Sequence, residues 1–571
     1  MLGVPTLSTG NLTLTSSKEK ANLLNEQFSS VFTTENLRSI PDIEDLNLPD
    51  MPSITVTSEG VLKLLRNLNS NKASGPDAVP AKILKECAES LAPVLAKIYQ
   101  KSIDKGCVPA LWLEANVTPI YKKGDRCKAS NYRPVSLTSI PCKLLEHIIH
   151  HHIMAHFDQH MILSEVQHGF RRGRSCETQL SALVNDLAKA LDRKKQIDLI
   201  IMDFSKAFDS VPHQRLLMKL ANLGIRNNNL KWIDSFLTNR FQQVVIEGIS
   251  SDRSKVISGV PQGTVLGPLL FLAYINDLPT KTQSNVRLFA DDCIIYCIID
   301  SEEDSTILQE DLNTLVKWES DWQMSFNASK CFSMRITHKK KPITTRYKMG
   351  DITLEEVKHH PYLGVELSDD LSWSTHIDHV TSKANKMLGL LRRNLYHCNT
   401  KTKDIAYKAL IRPKLEYCSA IWDPHQKINQ DKLEKVQNRA ARFVMQDYKR
   451  DSSVTQMLNK LKWETLKNRR TKSRLITMYK ETHGLIPSNI ASNLQTLDCR
   501  KHHRTRQTGV LKYNLITTNK DCFRHSLYPK SIPEWNLLDL SIRNAPSLSS
   551  FKNKLDVLDM TKIVTTAHFK I

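Results

Sequence analysis

Two apolar segments that contain aspartates stand out in the middle of the chain. The segment 286–298, VRLFADDCIIYCI, has apolar and β-branched runs on both sides of two adjacent acids. This pattern predicts a β-hairpin with Asp291 and Asp292 at or near its turn. The segment 197–204, IDLIIMDF, is an apolar run that leads into Asp203, which predicts a buried strand with a carboxylate at the sheet rim.

Helical spacing of apolar residues accounts for much of the remaining chain. A long amphipathic helix is predicted at about 301–323, with Leu308, Leu312, Leu315 and Trp322 on or near one face. Other helices are predicted at 18–33, 58–69, 81–105 (two helices), 143–157 and 264–276, and through most of 374–480. Two more are predicted, one that follows the loop 167–179 and ends at about 193, and one that begins at Pro212. Further strands are predicted at 115–121, 242–247, 253–258, 331–337, 346–350 and 357–367.

Strands that alternate with helices, followed by helices alone, predict an α+β fold. We expect a mixed sheet packed on helices, with one sheet face left open as a platform, and then an all-helical basic module. The tail from 490 onward is poorly patterned.

The charge of the chain is unevenly distributed. The formal net charge is +21, and residues 381–480 contain 24 Lys and Arg against 8 Asp and Glu. A basic region of this kind indicates a polyanionic partner, first of all nucleic acid, although a solvated helical surface gives the same composition.

The sequence shows no sign of a membrane segment, a signal peptide or a zinc module. The longest apolar stretch, 265–275, is too short to cross a bilayer, and the 12 cysteines include no C-x-x-C pair. We therefore expect an intracellular protein without a membrane partner, in the nucleus or the cytoplasm. The basic runs 338–342 and 466–472 fit nuclear signals, phosphate contacts or solvated surface equally well.

The helix predicted at 143–157 is rich in histidine. His147 and His151, and likewise His152 and His156, are four residues apart, which is the spacing of helical metal ligands. Because the segment lacks an H-E-x-x-H context and a third ligand, we interpret it as a helix with a polar histidine face.

Three aspartates form the candidate chemistry. If the strand of Asp203 neighbours the hairpin of Asp291 and Asp292, three carboxylates meet at one rim of a sheet. Mg²⁺ takes oxygen ligands, and a pair of such ions suits a site that bridges a phosphate substrate and its nucleophile. The alternatives are solvated turn residues for the pair and a strand-end or cap residue for Asp203. Asp209, just ahead of Pro212, fits the role of a helix cap better.

Several segments resemble reverse transcriptase motifs in their order and spacing. The palm motifs are DFSKAFDSV (203–211), SGVPQGTVLGPLLF (258–271) and FADD (289–292). Other segments resemble the non-LTR retrotransposon type of reverse transcriptase, close to jockey-like elements. They are NYRPVSL (131–137), QHGFRRGRS (167–175), YLG (362–364), LEYCSAIWDP (415–424), LEKVQNRAARFV (433–444) and WNLLDLSIRNAPSLSSFKNKL. The resemblance covers nearly the whole chain, and the ordered set of motifs is very specific.

The resemblance implies a metal site and a proton donor. Asp203 and Asp291 would be the main Mg²⁺ ligands, Asp292 the adjacent acid and the backbone carbonyl of Phe204 a further ligand. Two Mg²⁺ ions are implied, with Mn²⁺ as the alternative ion. Lys330, in FNASKCFS, matches the later palm lysine, which protonates the leaving pyrophosphate; an exposed turn lysine is the other interpretation.

The resemblance also implies a nucleotide pocket. Phe208 is at the steric-gate position, where a ring beneath the sugar leaves no room for a 2′-hydroxyl. Without the motif it would be interpreted as a core phenylalanine. Gln262 lies in a Pro-Gln-Gly turn, where Gly259 and Gly263 let backbone approach a ligand closely, and the turn would pack against the incoming nucleotide and template base.

Basic residues of two loops match phosphate-binding positions. Lys122 or Lys123, together with Arg133, would hold the triphosphate, and the sequence does not decide between the two lysines. The arginines of the second loop match contacts with the template backbone: Arg171, Arg172 and Arg174.

The function that the resemblance implies is that of an RNA-directed DNA polymerase with a right-hand fold. It would transfer nucleotides from dNTPs to a DNA primer 3′-hydroxyl on an RNA template. The expected units are an N-terminal helical segment and linker (1–57), fingers and palm (58–370), a basic helical thumb (371–480) and a C-terminal extension without an assigned role (481–571).

Two questions about function stay open at this level. Relatives usually carry an upstream endonuclease, so we expect a separate endonuclease or an element RNA-binding protein as a further partner. The alternative function is a catalytically inactive or domesticated remnant that binds nucleic acid through the same fold. The retained carboxylates, Gln262 and Phe208 favour activity.

Overall fold

The computed structural model describes residues 3–9, 12–486, 494–496 and 511–568. Its strands in chain order are β1 (Leu7–Thr9), β2 (Leu12–Leu14), β3 (Glu114–Tyr121), β4 (Tyr132–Leu137), β5 (Gln196–Asp203), β6 (Phe241–Ile246), β7 (Ile249–Ser250), β8 (Ser254–Lys255), β9 (Asn285–Phe289), β10 (Asp292–Ile299), β11 (Phe332–Ile336), β12 (Lys348–Met349), β13 (Ile352–Thr353), β14 (Glu355–Glu356), β15 (His359–Tyr362) and β16 (Val365–Ser368).

Its α-helices in chain order are α1 (Ser17–Ser29), α2 (Ser58–Arg66), α3 (Ala81–Glu86), α4 (Ala88–Lys105), α5 (Ile140–Gln159), α6 (Cys176–Asp192), α7 (Ala207–Ser210), α8 (His213–Asn222), α9 (Asn227–Leu237), α10 (Leu266–Tyr274), α11 (Glu302–Trp322), α12 (Ser374–Asn394), α13 (Thr400–Leu410), α14 (Arg412–Glu416), α15 (Lys427–Met445), α16 (Val454–Leu461), α17 (Leu466–Thr482), α18 (Asp521–Arg524), α19 (Leu527–Leu537), α20 (Leu540–Arg543), α21 (Leu548–Asp556) and α22 (Met560–His568).

The central sheet carries the three aspartates. Its strand order is β14-β11-β5-β10-β9, and β10 runs antiparallel to both β5 and β9. The register places Asp292 directly opposite Asp203. Directly opposite residues in an antiparallel pair are about 4.5–5.5 Å apart at Cα, so the register alone brings these two acids to one rim. The predicted hairpin and the predicted neighbouring strands are confirmed.

Both faces of this sheet are covered by helices. In β5, Ile200 and Met202 belong to the core formed with α5, α8, α10 and α11, whereas Leu199 and Ile201 belong to the core formed with α6 and the C-terminal helices. The predicted open face is therefore wrong. The physical reason is that β5 is apolar at consecutive positions, and a strand of this kind is buried on both sides.

A second sheet lies beside the site, with the order β4-β3-β6-β7 and β8 paired to β6. The antiparallel pair β3 and β4 presents the first basic loop, and β3 lies parallel to β6. Helix α1 covers this sheet, because its Leu24 and Phe28 share a core with Val117, Tyr132 and Val244.

The N-terminal segment caps a helix about 180 residues away. The Glu35 carboxylate accepts hydrogen bonds from the backbone N–H groups of Gln214 and Arg215 at the start of α8, both at 2.9 Å. It also contacts the buried Arg215 guanidinium at 3.1 Å. The cap predicted for Asp209 is wrong, because its side chain is held by Gln262 instead. No local sequence pattern connects Glu35 to this helix.

The basic helices and the tail share one core. Tyr479 of α17 stacks on Phe551 of α21 with ring centroids 4.4 Å apart, and Trp535 of α19 packs against the same ring. The tail also reaches the central sheet region, because the Asn519 N–H donates to Asp192 of α6 at 2.6 Å. The parts of the poorly patterned tail at 490–493, 497–510 and 569–571 lie outside the described residues.

One predicted strand is two strands. The segment 357–367 contains the antiparallel pair β15 and β16, which turns at Leu363 and Gly364 with φ of 47° and 79°. The Tyr-Leu-Gly motif is thus a turn, and the single strand predicted there is wrong. Across the described ranges, no helix has both the length and the apolar character that crossing a membrane requires.

Candidate active site

A tight turn between β9 and β10 positions Asp291. Ala290 in this turn has φ of 54°, the left-handed conformation found in short hairpin turns. The side-chain oxygen of Gln167 accepts hydrogen bonds from the N–H groups of Ala290 and Gly169 at 2.9 and 2.7 Å. A Cβ on Gly169 would overlap the Ala290 backbone nitrogen, so glycine allows this close approach.

The three carboxylates influence one another. Burial first, and then the charges of Asp291 and Asp203, raise the pKa of Asp292 to about 6. Burial also raises the pKa of Asp291, and Asp203 adds to the rise. Because nearby negative charges disfavour each other's ionisation, this cluster is a place where a bound cation would be stabilising.

The donor set fits Mg²⁺ in its chemistry, which is that of oxygen ligands on a rigid sheet rim. Lys330 Nζ lies 2.8 Å from Asp203 Oδ2 and engages that carboxylate oxygen. As the described side chains stand, they form no group of three or more His, Cys, Asp or Glu residues suited to holding a metal ion. Of the residues to which the sequence assigns the metal, Asp203 and Asp292 lie opposite each other in the sheet, and Asp203 is ion-paired to Lys330.

Phe204 has a backbone position consistent with its predicted role. It bridges Phe326, and the hydrogen bonds on either side run from Asn327 N–H to the Asp203 carbonyl and from Ser205 N–H to the Ser325 carbonyl. Phe204 is thus a non-hydrogen-bonded position on that side, and its carbonyl points the other way.

Lys122 and Arg133 face the carboxylates. Arg133 lies opposite Ile120 in the β3–β4 pair, so these two side chains project to one face, and Lys122 directly follows the end of β3. The charges of Arg133 and Lys122 lower the pKa of Asp291 against the effect of burial.

The charge of Lys122 interacts with one of the acids and with the other basic residues of the site. Burial first, and then Arg133 and Lys330, lower the pKa of Lys122, while the charge of Asp203 raises it. Lys123 acts only as a neighbouring charge in that environment. The structure therefore brings Lys122 to the acids.

Phe208 and the Pro-Gln-Gly turn meet beside the rim. The Phe208 ring stacks on Phe271 with centroids 4.5 Å apart and contacts the exposed Phe170 edge-on at 6.0 Å. The backbone carbonyl of Gln262 accepts a hydrogen bond from the Ser136 N–H at 2.8 Å. Gly263 has φ of 102°, and a Cβ there would lie 2.6 Å from the Ser136 carbonyl oxygen. The glycine therefore lets the turn dock on β4.

The three arginines of the second basic loop differ in their surroundings. Arg171 donates to the carbonyl of Ser164 at 2.6 Å, and Arg174 pairs with Glu165 at 2.6 Å. Their side chains are only 12% and 4% exposed. Arg172 is exposed. Of the three, Arg172 is the one that the loop presents to solvent.

Sequence reasoning missed two residues of this site. Gln167 holds the Asp291 turn, and Asp209 accepts a hydrogen bond from Gln262 Nε2 at 3.1 Å. Both lie inside the motifs already recognised, in QHGFRRGRS and DFSKAFDSV. The available signal is only that each is a polar residue inside a recognised motif.

Three acidic residues thus lie at one sheet rim, near the basic residues of the β3–β4 pair and the Pro-Gln-Gly turn. Residues 120–367 match the family model described as "Reverse transcriptase (RNA-dependent DNA polymerase)". The chain therefore contains a reverse transcriptase domain.

The curated relatives of this chain are polymerases of mobile elements. The "Probable RNA-directed DNA polymerase from transposon BS" of Drosophila melanogaster is 26% identical over 89% of this chain and 58% of its own length. The "RNA-directed DNA polymerase from mobile element jockey" of the same species is 27% identical over 78% of this chain and 50% of its own length. The chain is homologous to these jockey-like non-LTR retrotransposon polymerases and spans about half the length of the curated relatives it matches.

Proposed function

We propose that this chain is an RNA-directed DNA polymerase that extends a DNA primer on an RNA template with dNTPs. The observation that carries the proposal is the register of the central sheet, which sets Asp292 opposite Asp203 and next to the Asp291 turn. The relatives named above are polymerases of this kind, and the match to the family model includes all three acids.

The proposed chemistry is distributed over these side chains. Asp203, Asp291 and Asp292, with the Phe204 carbonyl, would hold two Mg²⁺ ions (or Mn²⁺), which in such sites activate the attacking hydroxyl and stabilise the leaving pyrophosphate. Lys330, already paired to Asp203, donates a proton to the leaving group.

The fingers and palm select the nucleotide in this proposal. Lys122 and Arg133 bind the triphosphate oxygens with charge-assisted hydrogen bonds. Phe208, fixed by its stack on Phe271, excludes a 2′-hydroxyl by steric overlap. The Gln262–Gly263 turn packs against the incoming nucleotide.

The basic helices act as a thumb in the proposal. They grip the template–primer duplex through its phosphates, so binding is independent of sequence and weakens as salt rises. The chain works inside the cell, in the nucleus or cytoplasm, with a separate endonuclease or an element RNA-binding protein as a further partner.

The experiment is primer extension on an RNA template with Mg²⁺, comparing the wild type with the double variant Asp291→Ala plus Asp292→Ala. We expect DNA synthesis by the wild type and none by the variant, because the variant lacks two of the three carboxylates. Equal products from both proteins would refute the proposal. Salt-sensitive RNA binding without synthesis would support the alternative function, a binding remnant.

Arg172→Ala is expected to weaken template binding through loss of one phosphate contact. The slope of log affinity against log salt should fall by about 0.7–0.9. Binding to a labelled template–primer, titrated at several salt concentrations, measures this slope. Arg172→Lys keeps the charge and is the matched control, with an unchanged slope expected. An unchanged slope for Arg172→Ala as well would contradict the assignment.

A further inference from the structure

The nucleotide-binding turn and the steric-gate segment are bound to each other. The carbonyl of Phe208 accepts the Val260 N–H at 2.7 Å. The carbonyl of Asp209 accepts the Ser258 hydroxyl at 2.8 Å. The segment 208–209 and the turn 258–263 are therefore joined by one backbone–backbone hydrogen bond and by one hydrogen bond from a side-chain hydroxyl, and these bonds couple the two parts of the pocket.

A side-chain pair continues this connection. Gln262 Nε2 donates to Asp209, at 3.1 Å from Oδ1 and 3.3 Å from Oδ2. An ionised carboxylate only accepts hydrogen bonds, so the amide nitrogen must face Asp209 and the amide oxygen must point away from it. The two residues line the same small cavity, of about 30 Å³.

The charge state of Asp209 makes it a hydrogen-bond acceptor for Gln262. Burial raises its pKa to about 6, and the charge of Lys206 and the hydrogen bond from Gln262 oppose the rise. The group is therefore ionised in an assay at about pH 8. Its hydrogen bond from Gln262 is then to an ionised acceptor, which favours the amide orientation with the nitrogen toward Asp209.

We propose that Asp209 is a positioning residue, which fixes the Gln262 amide so that its oxygen is presented to the incoming nucleotide as a hydrogen-bond acceptor. The inference rests on the proposed function and adds a residue that does not touch the substrate. A free Gln262 could present either its nitrogen or its oxygen, and the carboxylate removes that choice. Asp209 then acts on nucleotide binding solely through Gln262.

The test is a double-mutant cycle in primer extension at pH 8, with the KM for dNTP and kcat measured separately. Asp209→Asn keeps the shape but no longer dictates the amide orientation. We expect its KM to rise about tenfold while kcat changes less than about threefold, because the Gln262 amide is no longer held in the orientation that binds the nucleotide. In a Gln262→Ala background the same substitution should change KM by less than about twofold.

Two further variants, together with thermal unfolding, distinguish a loss of positioning from a loss of fold. Gln262→Asn, whose amide is one methylene too short to reach Asp209, should show the same rise in KM as Asp209→Asn. Asp252→Asn removes an exposed carboxylate that pairs with Lys18, and its KM should equal that of the wild type. Thermal unfolding of each protein separates loss of fold from loss of positioning.

The outcomes separate the two proposals. If the wild type extends the primer and Asp209→Asn and Gln262→Asn both keep its KM, the positioning role is wrong while the polymerase function stands. A rise in KM that persists in the Gln262→Ala background also overturns it, since Asp209 would then act without Gln262. Absence of wild-type synthesis would refute the polymerase function, and the positioning role with it.

Discussion

Replacing Asp203 with asparagine is expected to slow primer extension by about 10³-fold or more, equal to about 4 kcal/mol of transition-state stabilisation. Asparagine keeps the size of the side chain and removes the negative charge that a divalent cation needs. The fold should survive, because the change relieves repulsion among three adjacent acids. Single-turnover extension with saturating Mg²⁺ and dNTP measures the rate, and thermal unfolding measures the stability.

The matched control for this prediction is Asp300→Asn. Asp300 lies just past the far end of β10, is exposed and pairs with Lys195 on the surface. Exposed ion pairs contribute about 0–1 kcal/mol, so its rate should stay within about twofold of the wild type. If Asp203→Asn kept more than about a tenth of the wild-type rate, a loss of only about 1.4 kcal/mol, Asp203 would not be a metal ligand.

Much of the central sheet can be predicted from the local pattern of apolar and polar residues. The apolar run of β5 and the two runs around FADD have the length and residue types of buried strands, so the pattern predicts both. A carboxylate that ends such a strand must lie at the rim. The adjacency of Asp203 and Asp292 requires that the two strands pair in the right register, and the structure shows that register.

Other features depend on contacts that no local pattern encodes. Arg171 and Arg174 are identical in type to Arg172, yet two of the three bind loop carbonyls and Glu165. The role of Asp209 depends on a glutamine 53 residues away. The tail lacks a clear helical stripe because its helices are short and are buried against α17 and α6 on several sides.

A buried charge cluster joins the basic helices to the tail. The Asp423 carboxylate accepts hydrogen bonds from Arg470 Nε at 2.6 Å and from Lys530 Nζ at 2.7 Å, and it also forms an ion pair with Arg474. Arg474 in turn contacts Glu534 at 2.6 Å. Burial alone would raise the pKa of Asp423, but the charges of Lys530, Arg474 and Arg470 outweigh it and hold that pKa well below its usual range.

Asp423→Asn is expected to lower the free energy of unfolding by about 3–5 kcal/mol at pH 7, because three buried cations lose their shared carboxylate. A depressed pKa stabilises the fold fully above the ordinary aspartate pKa of about 3.9, and this stabilisation declines as pH falls from there through the lower pKa of the folded state. The difference between the two proteins should therefore shrink in acid. Urea unfolding at pH 7 and pH 3.5 measures both values.

Asp431→Asn, which removes an exposed partner of Lys427, should change stability by less than about 1 kcal/mol. A loss below about 1 kcal/mol for Asp423→Asn at pH 7 would mean that the cluster does not hold the tail to the basic helices.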